Sequence, residues 1–314
     1  MFKDGYLKQV ELLIQCLPDI QKQTCFAIKG GTAINLFLRD MPRLSVDIDL
    51  TYLPLSNREE AFAGLSAAMA EMTRDLKHSI PGCRIQPTHA QGIVTKLVVE
   101  TAEAHIKIEP NTILRGSVYG ASKRELCATA QERFERFATA HVLSVADLYA
   151  GKICAALDRQ HPRDLYDVYQ LLQNEGLTPD IRRAFVVYLA SHGRPMHELL
   201  KPNFKDIAHV YAAEFAGMAR EDVPLKTLLR VREEIGQLIR TGLTSEERHF
   251  LLSMKQGDPD WHCLGIARLS DFPALQWKLK NIRQMESGKR AEALGNLRAV
   301  LENDGSSRFI EKII

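Results

Sequence analysis

No stretch of this 314-residue chain holds about 18 consecutive apolar residues, so no transmembrane helix is expected. The start, Met1 to Tyr6, lacks the apolar core of a signal peptide, and the expectation is a cytoplasmic protein. Six cysteines include no Cys-x-x-Cys pair. They read as reduced thiols, most of them packed as small hydrophobes, and not as a disulfide framework or a zinc site. A net charge of +2 implies no general polyanion-binding surface. No internal repeat stands out. What is present is ordinary for a soluble globular protein, 45% apolar and 25% charged, over a length that allows two domains.

Against that background one stretch, Lys29 to Leu50, is unusual. It opens with Gly30-Gly31-Thr32 after the apolar run Cys25-Phe26-Ala27-Ile28, and closes with Val46-Asp47-Ile48-Asp49-Leu50. The alternation of the closing run predicts a strand. Residues i and i+2 of a strand share a face about 6.6 Å apart along the chain, which puts Asp47 and Asp49 side by side. Two carboxylates about 5 Å apart repel by roughly 3 kcal/mol at an effective dielectric of about 20. A divalent cation between them converts that repulsion into binding, and magnesium (or manganese) suits one or two carboxylates plus phosphate oxygens. Gly30 and Gly31 let a ligand approach the backbone. Thr32 is expected to open a helix over 33–38 whose free N–H groups could hold an anion.

Further along, the periodicity predicts a helix over 4–16 limited by Pro18, and a strand over 24–28. A helix follows, capped at Ser56 with Glu59 and running to about His78. Strands are expected at 93–100 and 105–109, joined as a hairpin, with 116–130 irregular. On the second strand His105, Lys107 and Glu109 share a face. Ser144 and Asp147 are spaced as N-cap and N3 of a helix over 145–159. Lys152 falls in the apolar stripe of that helix, where it either snorkels or meets a buried anion such as a nucleotide phosphate. Asp164 and Asp167 follow in a helix starting near Arg163; Asp164 sits at the edge of its apolar stripe, where it either complements the helix dipole or positions Lys152 or a substrate. From about 176 only helical patterns appear, over 181–192, 205–218, 225–240, 244–255 and 288–303. A basic cluster, Lys278, Lys280, Arg283, Lys289 and Arg290, is available to phosphates.

Gly30-Gly31-Thr32 followed by Arg43-x-Ser45-x-Asp47-x-Asp49-Leu50 resembles the AbiEii/AbiGii-type nucleotidyltransferases, toxins of bacterial toxin–antitoxin and abortive-infection systems built on a DNA polymerase β-like fold. The broader superfamily usually has Gly-Ser where this chain has Gly31-Thr32. Lys152-x6-Arg159-x3-Arg163-Asp164-Leu165-Tyr166-Asp167 is similar to a second block of the same family. The resemblance implies an α+β fold, a mixed sheet flanked by helices (1–175) followed by a helical C-terminal domain (176–314). It implies metal ligation by Asp47, Asp49 and Glu109, with Glu109 helping to accept a proton. It further implies nucleotide binding by Gly30, Gly31, Thr32 and Lys152, and a functional Asp164 with Asp167 as the alternative. The implied reaction moves a nucleoside monophosphate from an NTP to an RNA hydroxyl, such as a tRNA 3′ end, and a cognate antitoxin would be the partner. A protein or small-molecule acceptor, or a non-catalytic nucleotide-binding module, are the competing readings.

Overall fold

The computed structural model describes residues 2–90 and 92–302. Its centre is a seven-stranded mixed sheet in the order β3-β4-β5-β2-β1-β7-β6 among the described residues. The strands are β1 (Phe26–Lys29), β2 (Asp47–Tyr52), β3 (Arg84–Ala90), β4 (Ile93–Glu100), β5 (His105–Asn111), β6 (Ala121–Glu125) and β7 (Thr139–Leu143). β2 runs parallel to β5 and antiparallel to β1, while β1 and β7 are parallel. Strand alternation sorts the side chains. Ile48, Leu50, Ile106, Ile108, Leu97 and Val99 are buried, on the face covered by α1 (Asp4–Lys22) and α3 (Arg58–Ser79). The intervening residues of β2 and β5, including both aspartates and Glu109, take the opposite face.

The region before Asp47 differs from the sequence expectation. The helix after β1 starts at Gly30 itself as α2 (Gly30–Ala33), with Lys29 as its N-cap, and continues as a π-helical turn, Ile34–Leu38. α1 runs straight through Pro18, because Cys16, Leu17 and Ile20 on either side are buried and their packing outweighs the missing backbone donor. Asn57, not Ser56, caps α3, its side-chain oxygen accepting the Glu60 N–H at 3.0 Å.

Two strands escaped the sequence reading, β3 and β6. Both are sheet edges. Only Ile85 of β3 is buried, and no residue of β6 is, so neither shows apolar alternation. Pro87 is tolerated in β3 because an edge has one unpaired side. The short helix α4 (Ala128–Phe134) begins within the last three residues of the stretch expected to be irregular.

α5 (Val145–Asp158), α6 (Pro162–Gln173) and α7 (Pro179–Ser191) then stack beside the acidic face of the sheet. α5 begins as expected, Ser144 Oγ accepting the Asp147 N–H at 3.0 Å. Beyond them come α8 (Met196–Leu200), α9 (Ala208–Glu214), α10 (Leu225–Gly242), α11 (Ser245–Gln256), α12 (Pro273–Arg283) and α13 (Ser287–Glu302). α11 carries a full capping box between Thr244 and Glu247. The expected end of the last helix at residue 303 lies outside the described residues. Among the described residues no helix is long and apolar enough to cross a membrane, and all six cysteines are free thiols.

Two residues of the basic cluster proposed from sequence make contacts within the chain. Lys278 donates to the His192 carbonyl at 2.7 Å and Arg283 to the Gly257 carbonyl at 2.8 Å, so both tie loops to α12.

Candidate active site

The register of the sheet builds the site. Lys29 of β1 pairs with Asp49 of β2, and Asp49 pairs with Glu109 of β5. Glu109 in turn meets Lys96 of β4 at 2.7 Å. A row of Lys, Asp, Glu, Lys thus crosses four adjacent strands, and Asp47, next to Lys107, lies one step along. Burial raises the Asp47 carboxyl above the ordinary carboxylate range. Asp49 and Glu109 add to the rise, and Lys107 and Arg163 oppose it. Burial likewise lowers Lys29, against the pull of Asp49.

The three acids sit on one face, as the alternation required. Among the described residues they do not close into a three-ligand cluster of the kind formed by His249, Asp260 and Cys263; Glu109 is turned to Lys96 instead. The donor set is all oxygen, which suits a hard divalent cation, and such ions are commonly held by one or two carboxylates with phosphate completing the shell. Asp47 and Asp49 meet that requirement, and Glu109 would join once parted from Lys96.

The glycines serve the chain's own side chains. Gly30 has φ of +71°, and a Cβ there would lie 2.4 Å from Asp49 Oδ2. A Cβ on Gly31 would lie 2.7 Å from both an Arg43 guanidinium nitrogen and Ser45 Oγ. Gly30→Ala is therefore expected to push the Asp49 carboxylate aside and strain the backbone. Nucleotide transfer should fall at least tenfold while thermal unfolding stays cooperative, measured side by side on purified protein. Thr32, expected to face a ligand, is fully buried. Its hydroxyl donates to the Asp47 carbonyl at 2.5 Å and lies 3.1 Å from Ser45 Oγ. It fastens α2 to the aspartate strand.

Behind the aspartates lies a buried ion network. Lys152 Nζ is 2.9 Å from Asp164 and 3.0 Å from Asp167. Arg43 binds Asp167 through two nitrogens, at 2.8 and 2.5 Å, and Arg159 binds Asp164 at 2.5 and 2.9 Å. Asn35 bridges Asp167, at 3.1 Å, to the Gly31 carbonyl, at 2.9 Å. Three cations face two carboxylates, so the cluster carries an excess positive charge. Lys152 is neither snorkelling nor free: burial works against its charge, but Asp164 and Asp167 outweigh burial and raise its pKa. Burial also opposes the two carboxylates; Lys152 and Arg159 nevertheless hold Asp164 well below the usual carboxylate range, and Arg43 and Lys152 lower Asp167. Asp164 and Asp167 thus both contact the Lys152 ammonium.

Carboxylates depressed in the folded state stabilise it above their unfolded pKa and release that stability as pH falls through the folded value. Stability should thus decline as pH drops below about 4, the ordinary aspartate value. A series of urea midpoints from pH 5 to pH 2.5 reads this out. An Asp164→Asn variant should show a shallower decline over the same range.

A cleft of about 290 Å³ is lined by Lys29, Gly30 and Asp49 from the acidic row and by Lys152 and Arg159 from this network. Leu114, Tyr188 and His192 complete the lining. Asp147 borders the cleft too, its carboxylate accepting from Ser117, Val118, Tyr119 and Tyr188, which pins the 117–119 loop over α5. The sequence reading gave no role to Lys29, Arg43 or Arg159. Arg43 and Arg159 stand inside the two recognised blocks, and Lys29 is the last residue before the glycines; those positions were the available signal.

Comparison with known proteins fits this arrangement. The family model described as "Nucleotidyl transferase AbiEii toxin, Type IV TA system" matches residues 11–281. No curated protein matches the chain. Among solved structures the chain is similar to MenT4, a nucleotidyltransferase toxin from Mycobacterium tuberculosis, with a TM-score of 0.57 and 16% identity over 95% of each chain. At that identity the likeness speaks for the fold, the mixed sheet and the helical C-terminal region alike. The match over most of the length supplies the rest: the chain belongs to the AbiEii nucleotidyltransferase toxin family of type IV toxin–antitoxin systems.

Proposed function

We propose that this protein transfers a nucleoside monophosphate from an NTP to a hydroxyl of RNA, with a tRNA 3′ end as the first acceptor to test. The observation that carries the reading is the row Lys29, Asp49, Glu109 across β1, β2 and β5, of which Lys29 and Asp49 line one cleft together with Lys152 and Arg159. In this reading Asp47, Asp49 and Glu109 hold Mg2+ (or Mn2+). A bound divalent ion would stabilise charge on the attacking and leaving oxygens.

The side chains of the chain do the remainder. Lys29, Lys152 and Arg159 neutralise the triphosphate, and Gly30, Gly31 and the Thr32 backbone bring the start of α2 against it. The acceptor oxygen bonds to the α-phosphorus as the bond to the pyrophosphate oxygen breaks. The hydroxyl proton passes to the Glu109 carboxylate, which Lys96 must first release. Asp164 and Asp167 keep Lys152 charged and aimed at the cleft. The division into a nucleotidyltransferase unit over 1–175 and a helical unit over 176–314, a cytoplasmic location and a cognate antitoxin belong to the same proposal.

Incubation of the purified protein with each α-labelled NTP and Mg2+ tests it, with total tRNA, total protein and an aminoglycoside as parallel acceptors. Label is expected in the tRNA at its 3′ end and should disappear with EDTA. Label only in protein or in the small molecule would overturn the RNA acceptor, and no label in any arm would overturn transfer.

A further inference from the structure

A second cavity, about 630 Å³, lies on the other side of the loop after β5. Asn111 Oδ1 accepts the N–H groups of Ile113 and Leu114, at 3.0 and 2.8 Å, and so fixes this loop. Its residues alternate between the two hollows: Leu114 lines the active-site cleft, while Ile113 and Arg115 line the second cavity. The two spaces are thus neighbours separated by one stretch of chain.

The lining has an unusual chemistry. Trp277 is 50% exposed and Ile113 61% exposed, in a protein with only two tryptophans. Arg58 lies over the Phe62 ring at 4.8 Å, and Arg58 and Lys280 both come within 5.9 Å of the Trp277 ring centre. Arg115 is more than nine-tenths buried. Its recorded partners are the Ser56 and Asn57 carbonyls, no acid pairs with it among the described residues, and its Nε has no hydrogen-bond partner. The one acid of the lining, Asp271, is ion-paired with Arg268 at 2.8 Å. A buried guanidinium with no acidic partner among the described residues, lining the same cavity as a half-exposed aromatic ring flanked by two cations, calls for a ligand with a flat apolar surface and an anion on the same body.

We infer that this cavity holds an unpaired nucleotide of the single-stranded acceptor, its base stacked on Trp277 and its phosphate facing Arg115 and Lys280. Stacking on an aromatic ring accepts any base, and basic groups beside it follow the phosphate chain. The inference rests on the transferase reading for its purpose, since only the loop carrying Ile113, Leu114 and Arg115 separates this cavity from the cleft that Asp49 lines. A double helix would not fit, because its bases are already stacked.

The test uses the full chain carrying Trp261→Phe, which leaves Trp277 as the only tryptophan, without NTP or divalent metal. The probe is a mixed-sequence RNA octamer, single-stranded or annealed to its complement. The single strand should quench Trp277 fluorescence and the duplex should not. By fluorescence anisotropy of the labelled octamer, Trp277→Ala should weaken binding about tenfold and Trp277→Phe much less. Lys280→Glu should weaken it and flatten its salt dependence. Unchanged quenching by duplex, or full octamer affinity in Trp277→Ala, would overturn the inference. So would a Trp277→Ala variant that lost a protein partner but kept the octamer. If no acceptor is ever labelled yet Trp277 still reports binding, the transfer reading fails and the pocket assignment stands.

Discussion

Asp49→Ala is expected to lower nucleotide transfer by about 1,000-fold, a loss of about 4 kcal/mol of transition-state stabilisation at about 1.36 kcal/mol per decade. Asp49 is the point at which the site converges: it pairs in register with Lys29 and Glu109, overhangs Gly30 and borders the cleft. Its removal takes away one of the two adjacent acids proposed to hold the metal and leaves Lys29 without the carboxylate that favours its charge. Growth inhibition on expression should vanish together with transfer. Because Asp49 is only half-buried, the variant should keep the parent's melting behaviour, so a lost activity can be separated from a lost fold. Transfer at near-parental rates in a well-folded Asp49→Ala protein would remove the metal assignment.

Asp167→Ala should be the costliest substitution for stability, destabilising the fold by about 3–5 kcal/mol in urea unfolding. Asp167 is fully buried and holds Arg43, itself 1% exposed, together with Lys152 and Asn35. Without it two buried cations face each other with one carboxylate left between them and Arg159. Asp164→Ala removes a carboxylate of similar depth, but Arg159 is largely exposed and can turn to water. It should therefore cost less stability while still disturbing Lys152. Equal destabilisation by the two variants would mean that Arg43 contributes nothing to the effect of Asp167.

Local pattern was enough for some of this protein and not for the rest. Asp47 and Asp49 share a face because a strand alternates, which needs no knowledge of the neighbours. The cap at Ser144 and the capping box at Thr244 follow from side chains reaching their own backbone. β3 and β6 were illegible because edge strands face water on the residues where alternation is sought. The glycines illustrate the same limit differently. The sequence says that something comes close to Gly30 and Gly31, but only the folded chain identifies it as Asp49 and Arg43.

Lys152 marks the boundary between the two kinds of information. Its place in an apolar helical stripe announced a buried charge needing a counter-charge. Whether that counter-charge was a ligand or the chain itself depended on residues 12 and 15 positions away and on Arg43, more than 100 positions back. The sequence by itself determined the family, the acidic pair, the strand that bears it and the helical second half, all of which are periodic or contiguous. The tertiary structure alone decided which acid meets which lysine across the sheet. It also decided which carboxylate guards Lys152, and that an aromatic, cationic hollow adjoins the cleft. Those are matters of register and close approach, fixed by packing between segments that no local pattern connects.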